Sequence, residues 1–313
     1  MTAPAPPLRL RDFVEDRDGW LFAVAAYDNA ERAGCVLRYV PDPEGDRVRR
    51  GTGTRYRKLD FEEAYRRIED EKPRYRDLLH RVPLGEIAAV HKPEAAFPAL
   101  LARDGRVRRL AAALALSPGT AGCTGSLLAG LEGPASDIDL VVYGRAWFRA
   151  QARLPAAIRE GLVDDLSEDL WRRVYAKRRP ALTYEEFRLH EARKWNRGEI
   201  DGTYFDLLFA RDYAAIDGLP VPKGPALGRA VIEARVTDAS LAYDVPAVYR
   251  VEHPRVSRVL AFTHTYAGQA LAGEVIEAAG VLEAHGDERW LVVGTSREPV
   301  GEYIRSRTLL ESA

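Results

Sequence analysis

The pattern of apolar and polar positions predicts a mixed α/β chain with β-rich ends. Near the start, Trp20–Val24 and Cys35–Val40 are rich in β-formers and are separated by turn residues, which predicts two strands. Asp60 then precedes an amphipathic stretch, as expected for the N-cap of a helix. Toward the other end, short apolar segments alternate with glycine and acidic turns. This alternation favours further strands, although residues 274–284 could also be helical on composition.

The central region alternates between helical and strand patterns. Apolar residues between positions 93 and 115 recur at helical spacing, and Asp104-Gly105 is a candidate break. Three later segments are predicted strands: 120–124, the apolar run that carries Asp137-Ile138-Asp139, and the segment that holds Asp206. Helices are predicted to begin near four positions, namely Leu127, Arg145, Ser167 and Thr183, the last with a capping-box pattern.

These elements divide the chain into three regions. Residues 1–92 form a β-rich region with one helix, residues 93–214 form an α/β core, and residues 215–313 form a β-rich, barrel-like domain. The proline-rich segment Leu219–Pro225 marks the last boundary. Among the apolar segments beyond it, residues 256–265 are expected to form one of the strands.

Three aspartates are the candidate chemistry of the core. Residues two apart on a strand face the same side, so Asp137 and Asp139 are expected to project together. Neighbouring carboxylates repel each other, and bound divalent cations turn this repulsion into attraction. Asp206 lies in the apolar run Tyr204–Phe209, where an acid is costly unless it is paired or metal-bound. The alternative is solvated edge-strand acids, and Asp201 is the fallback for the third carboxylate.

The Gly125-Ser126 turn followed by Asp137-x-Asp139 on an apolar strand resembles the core of the nucleotidyltransferase superfamily, the DNA polymerase β-like group. The resemblance covers roughly residues 97–211. It implies an α/β (α+β) core with a mixed sheet and flanking helices. The implied activity is Mg²⁺-dependent transfer of a nucleoside monophosphate from a nucleoside triphosphate (NTP) to a hydroxyl, with release of pyrophosphate.

The resemblance also implies roles for single residues. Asp137, Asp139 and Asp206 would be catalytic and would hold two Mg²⁺ ions, or Mn²⁺ in their place. Gly125 and Ser126 would contact the β- and γ-phosphates, and a helix N-cap is the alternative role of Ser126.

Basic residues are in excess between the second and third acids. The candidate phosphate contacts among them are Lys177, Arg178 and Lys194, and a solvated helix face is the alternative reading. This excess and the barrel-like tail favour a nucleic-acid acceptor, either RNA (including tRNA) or DNA. A small-molecule or protein acceptor, and non-catalytic nucleotide or nucleic-acid binding on the same fold, remain alternatives.

Composition limits the remaining possibilities. The net charge of −1 gives no global attraction to polyanions, so any such site must be local. The two cysteines match no metal spacing, and six scattered histidines add none. Few cysteines, no secretory signal and no long apolar run predict a cytoplasmic protein without a membrane segment. The sequence does not indicate an oligomeric state.

Overall fold

The structure, a computed structural model, describes residues 7–218, 223–296 and 300–313. The chain divides into two compact units. The first contains the residues up to Asp165 and those from Asn196 to the gap at 219–222, and the second contains Leu166–Trp195 and the residues after that gap. Most of the predicted boundary segment, residues 219–222, lies outside the described residues. Eight α-helices and three sheets within the described ranges confirm the predicted α/β class with β-rich ends.

The first unit begins with a seven-stranded sheet. Its strands are β1 (Phe13–Asp16), β2 (Leu21–Val24), β3 (Arg32–Pro41), β4 (Arg47–Val48), β5 (Arg55–Lys58), β6 (His80–Pro83) and β7 (Ile87–His91). They follow the order β4-β5-β3-β2-β1-β7, with β6 paired to β3. The predicted helix is α1 (Phe61–Glu71), and Asp60 caps it in a reciprocal capping box with Glu63. Ala64 and Ile68 of this helix pack into the core of the sheet.

The second sheet of this unit positions the candidate site. Its strands are β8 (Ala121–Cys123), β9 (Ile138–Tyr143), β10 (Arg197–Ile200) and β11 (Thr203–Ala210), in the order β10-β11-β9-β8. Strands β9 and β11 are parallel and the other neighbours are antiparallel, so the sheet is mixed as predicted. The accompanying helices are α2 (Pro93–Arg103), α3 (Gly105–Ala113), α4 (Gly125–Ala129) and α5 (Arg145–Arg159).

Local sequence accounts for two features of this core. The predicted break before Gly105 is present, because the Asp104 side chain accepts hydrogen bonds from the backbone N–H groups of Arg106 and Val107 and so starts α3. Helix α5 covers the sheet, and its Trp147 donates from Nε1 to the Leu207 carbonyl at 3.1 Å. Helix and strand are therefore joined by a buried side-chain hydrogen bond as well as by packing.

In the part of the chain that the structure describes, the second unit combines three α-helices with a closed sheet. Helices α6 (Glu168–Arg178) and α7 (Tyr184–Ala192) come first, and Thr183 caps α7 in the predicted capping box. The remaining elements are β12 (Ala226–Leu241), β13 (Ala247–Glu252), β14 (Arg258–Ala261), β15 (Val275–His285), β16 (Glu288–Val293), β17 (Tyr303–Ser306) and α8 (Arg307–Glu311).

Strand β12 pairs with both β13 and β15, so five strands close in the order β12-β13-β14-β16-β15, and β17 adds to β15. Of residues 274–284, which could also have been helical, all but the first lie in strand β15. The strand expected over residues 256–265 is wrong in its extent, because only Arg258–Ala261 pairs with neighbours and a short 3₁₀ turn follows at His264–Tyr266. No helix in the described ranges is long and apolar enough to cross a bilayer.

Candidate active site

Two of the three predicted acids are neighbours across the sheet. Strands β9 and β11 are parallel, and Asp139 is the direct register partner of Asp206. Neighbouring strands lie about 4.8 Å apart and register partners project to the same face. Both side chains are half-buried. The fold therefore brings together two carboxylates that are far apart in sequence.

Asp137 precedes the strand that was predicted to contain it. Strand β9 begins at Ile138, and Asp137 is exposed, whereas Asp139 is half-buried. A turn delays the start of the strand, because the Ser136 hydroxyl accepts a hydrogen bond from the Gly133 backbone N–H at 2.9 Å. The two-residue spacing between Asp137 and Asp139 still suits projection to one side wherever the backbone is extended.

The Gly-Ser turn lies directly against Asp139. The Thr124 backbone N–H donates to the Asp139 carbonyl at 2.9 Å, which aligns the end of β8 with β9. Gly125 has a φ of +65°, and a Cβ atom there would lie 2.5 Å from Oδ2 of Asp139. Both the left-handed backbone and the carboxylate require glycine at this position.

Ser126 lies in the first turn of α4 and is half-buried. The alternative that Ser126 is the N-cap of this helix is wrong, because Thr124 occupies that position. The Thr124 hydroxyl does not cap the helix either, since it donates to the Arg11 carbonyl at 2.7 Å.

Asp206 has a basic neighbour that the sequence did not single out. Arg197 on β10 is its register partner, and Nη2 of Arg197 lies 3.8 Å from Oδ1 of Asp206. This carboxylate oxygen is buried and has no hydrogen-bond partner among the described residues. The fallback Asp201 lies in the turn before β11 and forms an ion pair with Arg109 of α3, so it does not replace Asp206. The sequence signal that could have indicated this contact is a basic residue, Arg197, placed opposite Asp206 in a strand hairpin.

The negative charge of Asp139 affects the pKa values of two buried side chains near it. Burial is the main cause that raises the pKa of Tyr39, the Asp139 carboxylate raises it further, and Arg38 and Arg47 oppose this. Burial likewise raises the pKa of the Cys123 thiol, with Asp139 as the next cause, and both favour the protonated thiol.

The first sheet of the unit also packs against the turn region. Phe13 and Tyr39 share a core cluster with Ala129 of α4 and with Leu131 just after it. Arg50, on the loop between β4 and β5, donates its backbone N–H to the Gly130 carbonyl at 2.8 Å. No local sequence pattern marks this contact, because its two sides come from separate regions of the chain.

The three predicted basic residues belong to the second unit, whereas the carboxylates belong to the first. Lys177 is exposed on α6. Lys194 is almost fully buried, and its ammonium group contacts the Glu191 carboxylate and the Thr265 carbonyl, the latter at 2.9 Å. Arg178 lies 3.5 Å from the other oxygen of Glu191. Their role in phosphate binding stays a prediction.

The acids fit a hard cation in part. No group of three or more His, Cys, Asp or Glu side chains within the described ranges is arranged to hold a metal ion. Asp139 and Asp206 nevertheless present carboxylate oxygens on one face, and the buried Oδ1 of Asp206 accepts no hydrogen bond from a described residue. Mg²⁺ prefers such oxygen ligands and commonly takes only one or two carboxylates besides phosphate and water. Asp137 remains the predicted third ligand.

Comparison with known proteins agrees with this geometry. A model of the nucleotidyltransferase domain matches residues 107–207, a range that includes the Gly-Ser turn and all three predicted acids. The chain belongs to the nucleotidyltransferase superfamily. The chain is similar to a protein described as uncharacterized protein MJ1086 from Methanocaldococcus jannaschii. The two are 35% identical over an alignment of 335 positions, which covers 95% of this chain and 98% of the relative. No solved structure matches.

Proposed function

We propose that this nucleotidyltransferase moves a nucleoside monophosphate from an NTP to a hydroxyl acceptor and releases pyrophosphate. One observation carries the proposal: Asp139 and Asp206 are register partners on adjacent parallel strands, beside the Gly125 turn. Folding alone does not favour two acids side by side, whereas a cation with a triphosphate does. The match to the nucleotidyltransferase domain supports the same reaction class.

The residues take separate roles in this proposal. Asp139 and Asp206 hold the cation from one face of the sheet, and Asp137 adds a carboxylate from the residue before β9. Asp206 lies next to the acceptor hydroxyl and takes its proton. The hydroxyl oxygen then bonds to the α-phosphorus as the bond to the leaving pyrophosphate breaks. When bound there, Mg²⁺ or Mn²⁺ supplies charge neutralisation to the attacking and leaving oxygens.

The Gly125-Ser126 turn is the proposed contact for the triphosphate. The glycine at 125 already approaches Asp139 more closely than any other residue could, so phosphates held at this turn would lie beside the cation-binding acids. The Ser126 hydroxyl would donate to a phosphate oxygen. Contacts of Lys177, Arg178 and Lys194 with phosphate are a separate part of the proposal.

The acceptor is the least constrained part of the proposal. Five-stranded Greek-key barrels bind oligonucleotides in many proteins, and this association favours RNA, tRNA or DNA. Charge does not add to it, because acidic residues outnumber basic ones over residues 223–313. A small-molecule or protein acceptor would use the same acids. The cytoplasmic location expected from the sequence is likewise part of the proposal.

A transfer assay tests the reaction and the acceptor together. The full chain would be incubated with labelled NTPs, Mg²⁺ or Mn²⁺, and separate pools of RNA, DNA, protein and small hydroxyl compounds. We expect label in one pool, release of pyrophosphate, and loss of both with Asp139→Asn. Label only in the protein or small-molecule pool would remove the nucleic-acid preference. Binding of NTP and Mn²⁺ without label in any pool would favour the non-catalytic reading.

A further inference from the structure

Arg197, Asp206 and Asp139 form one row across three neighbouring strands. Arg197 on β10 pairs in register with Asp206 on β11, and Asp206 pairs in register with Asp139 on β9. Register partners share a face, so the guanidinium lies on the side of Asp206 away from Asp139. The row therefore places one positive charge at the end of the candidate carboxylate site.

The contact between Arg197 and Asp206 is close but incomplete. The Arg197 side chain is 2% exposed and that of Asp206 is 14% exposed. Their nearest atoms, Nη2 and Oδ1, are 3.8 Å apart, which is too long for a hydrogen bond. The same oxygen has no hydrogen-bond partner elsewhere in the described ranges. Arg197 thus offsets the charge of the carboxylate and leaves the lone pairs of Oδ1 available.

Burial makes this arrangement informative. A guanidinium is placed in a protein interior only where nearby groups compensate its charge. Asn196 contributes one contact, since Nε of Arg197 lies 3.5 Å from its Oδ1. Asp206 contributes negative charge that compensates the guanidinium. A bidentate pair would have been the stronger bond, so the separation favours a carboxylate that retains capacity for another ligand.

We propose that Arg197 is a positioning residue that holds Asp206 and limits how tightly the carboxylates bind a cation before the NTP arrives. This inference rests on the proposed function. Without the guanidinium, the row is more negative, so a divalent cation binds more tightly on its own. Asp206 also loses the charge that holds it, so transfer slows. In the parent chain, where the guanidinium is present, cation binding depends more strongly on the negative charge of the triphosphate than it would without Arg197.

The test compares Arg197→Gln, Arg197→Lys and the full-length parent chain. Arg106→Met is the matched control, because Arg106 donates to Thr203 at the start of β11 at 3.2 Å, away from Asp206. Mn²⁺ affinity without nucleotide is measured by electron paramagnetic resonance, and kcat and KM are measured with the acceptor found in the transfer assay. We expect Arg197→Gln to bind Mn²⁺ about tenfold more tightly. Its kcat should fall about tenfold or more, with KM for the NTP nearly unchanged.

Arg197→Lys keeps the charge, so its Mn²⁺ affinity should match the parent chain, while its kcat should fall several-fold because the ammonium group lies in a different position beside Asp206 than the guanidinium does. If thermal melting shows that Arg197→Gln does not fold, the kcat of Arg197→Lys tests the positioning role of Arg197 by itself. A parent-like kcat in Arg197→Lys and Arg197→Gln, or weaker Mn²⁺ binding in Arg197→Gln, would overturn the inference. If the parent chain transfers no label, the proposed function fails, and the Mn²⁺ comparison still tests the charge effect by itself.

Discussion

Two groups of charged residues in this molecule are arranged in opposite ways. On α7 and just after its end, buried polar groups meet complementary partners: Lys194 contacts Glu191, and both ring nitrogens of His190 form hydrogen bonds. On the sheet of the first unit, Asp139 and Asp206 stand side by side on neighbouring strands. Complementary partners indicate groups that hold a fold together, whereas adjacent like charges indicate a place for a ligand of opposite charge.

The comparison also shows why counting charges misleads. The helical region between the acids has an excess of basic residues, and this excess predicts phosphate contacts. In the structure, Arg178 and Lys194 both face the single carboxylate of Glu191. Moving a charged side chain away from a buried partner and toward a phosphate costs more free energy than using a side chain that is already exposed. Lys177, which is exposed, is the better candidate of the three.

The largest expected effect on stability follows from Glu191→Gln. This change leaves the buried ammonium of Lys194 without its carboxylate, so the free energy of unfolding should fall by about 3–5 kcal/mol. Urea unfolding monitored by circular dichroism measures it. Glu185→Gln, at an exposed position of the same helix, is the control and should change stability by about 0.5 kcal/mol or less. Equal effects of the two variants would contradict a stabilising role for the Glu191–Lys194 pair.

Asp139→Asn should show the reverse behaviour. The change relieves the repulsion between two adjacent carboxylates, so the free energy of unfolding should fall by less than it does in Glu191→Gln. Transfer should fall by about two to three orders of magnitude, because preorganised charge is commonly the largest catalytic contribution. Label transfer and urea unfolding on one preparation measure both quantities. Strong destabilisation by Asp139→Asn would mean that the carboxylates are structural, and the contrast with α7 would be lost.

The pH dependence of stability sharpens the contrast further. His190 is buried, and its Nδ1 donates to the Glu186 carbonyl at 2.6 Å while its Nε2 accepts from the Ser306 backbone N–H at 2.8 Å. This arrangement fits the neutral ring, and burial is the main cause that lowers its pKa from 6.5 to about 4. Below pH 6.5 the unfolded chain takes up a proton that the folded chain does not. Stability should therefore decrease by about 3 kcal/mol as the pH falls from 6.5 to 4.

His190→Gln tests this assignment. The variant is expected to be less stable at neutral pH but to lose less stability between pH 6.5 and 4. The measurement is urea unfolding at a series of pH values, with the slope against pH compared between the variant and the parent chain. Parallel slopes would show that other groups cause the acid dependence.

Sequence succeeded where a feature depends on neighbours along the chain. The capping residues Asp60 and Thr183 and the break at Asp104 each act through hydrogen bonds within three residues, so local pattern is sufficient to find them. The Gly125-Ser126 turn is identified instead through its resemblance, together with Asp137-x-Asp139, to the nucleotidyltransferase core. The start of β9 was placed too early because the bond between Ser136 and Gly133 holds the preceding turn, and composition does not reveal it.

Sequence failed where a contact depends on how strands and sheets pair. The Arg197–Asp206 contact requires knowing that β10 and β11 form a hairpin with this register. The packing of Tyr39 against Ala129 joins two sheets and has no local signature. The strand predicted over residues 256–265 is too long for a related reason. Its length in the structure is set by the pairing of β14 with β13 and β16, and apolar composition does not reveal that pairing.

Two glycine substitutions separate the effect of the backbone conformation from the effect of the side-chain contact at the candidate site. Gly125 and Gly119 both have positive φ, but a Cβ atom would lie 2.5 Å from Oδ2 of Asp139 at Gly125 and would meet nothing within 4 Å at Gly119. Gly→Ala at either position should cost about 1–2 kcal/mol of stability for the left-handed backbone. Only Gly125→Ala must also displace the Asp139 carboxylate, so only this variant should lose most of its transfer activity. If both variants kept parent-like turnover, the close approach of Gly125 to Asp139 would have no catalytic meaning, and the carboxylate row would stand without its phosphate-binding turn.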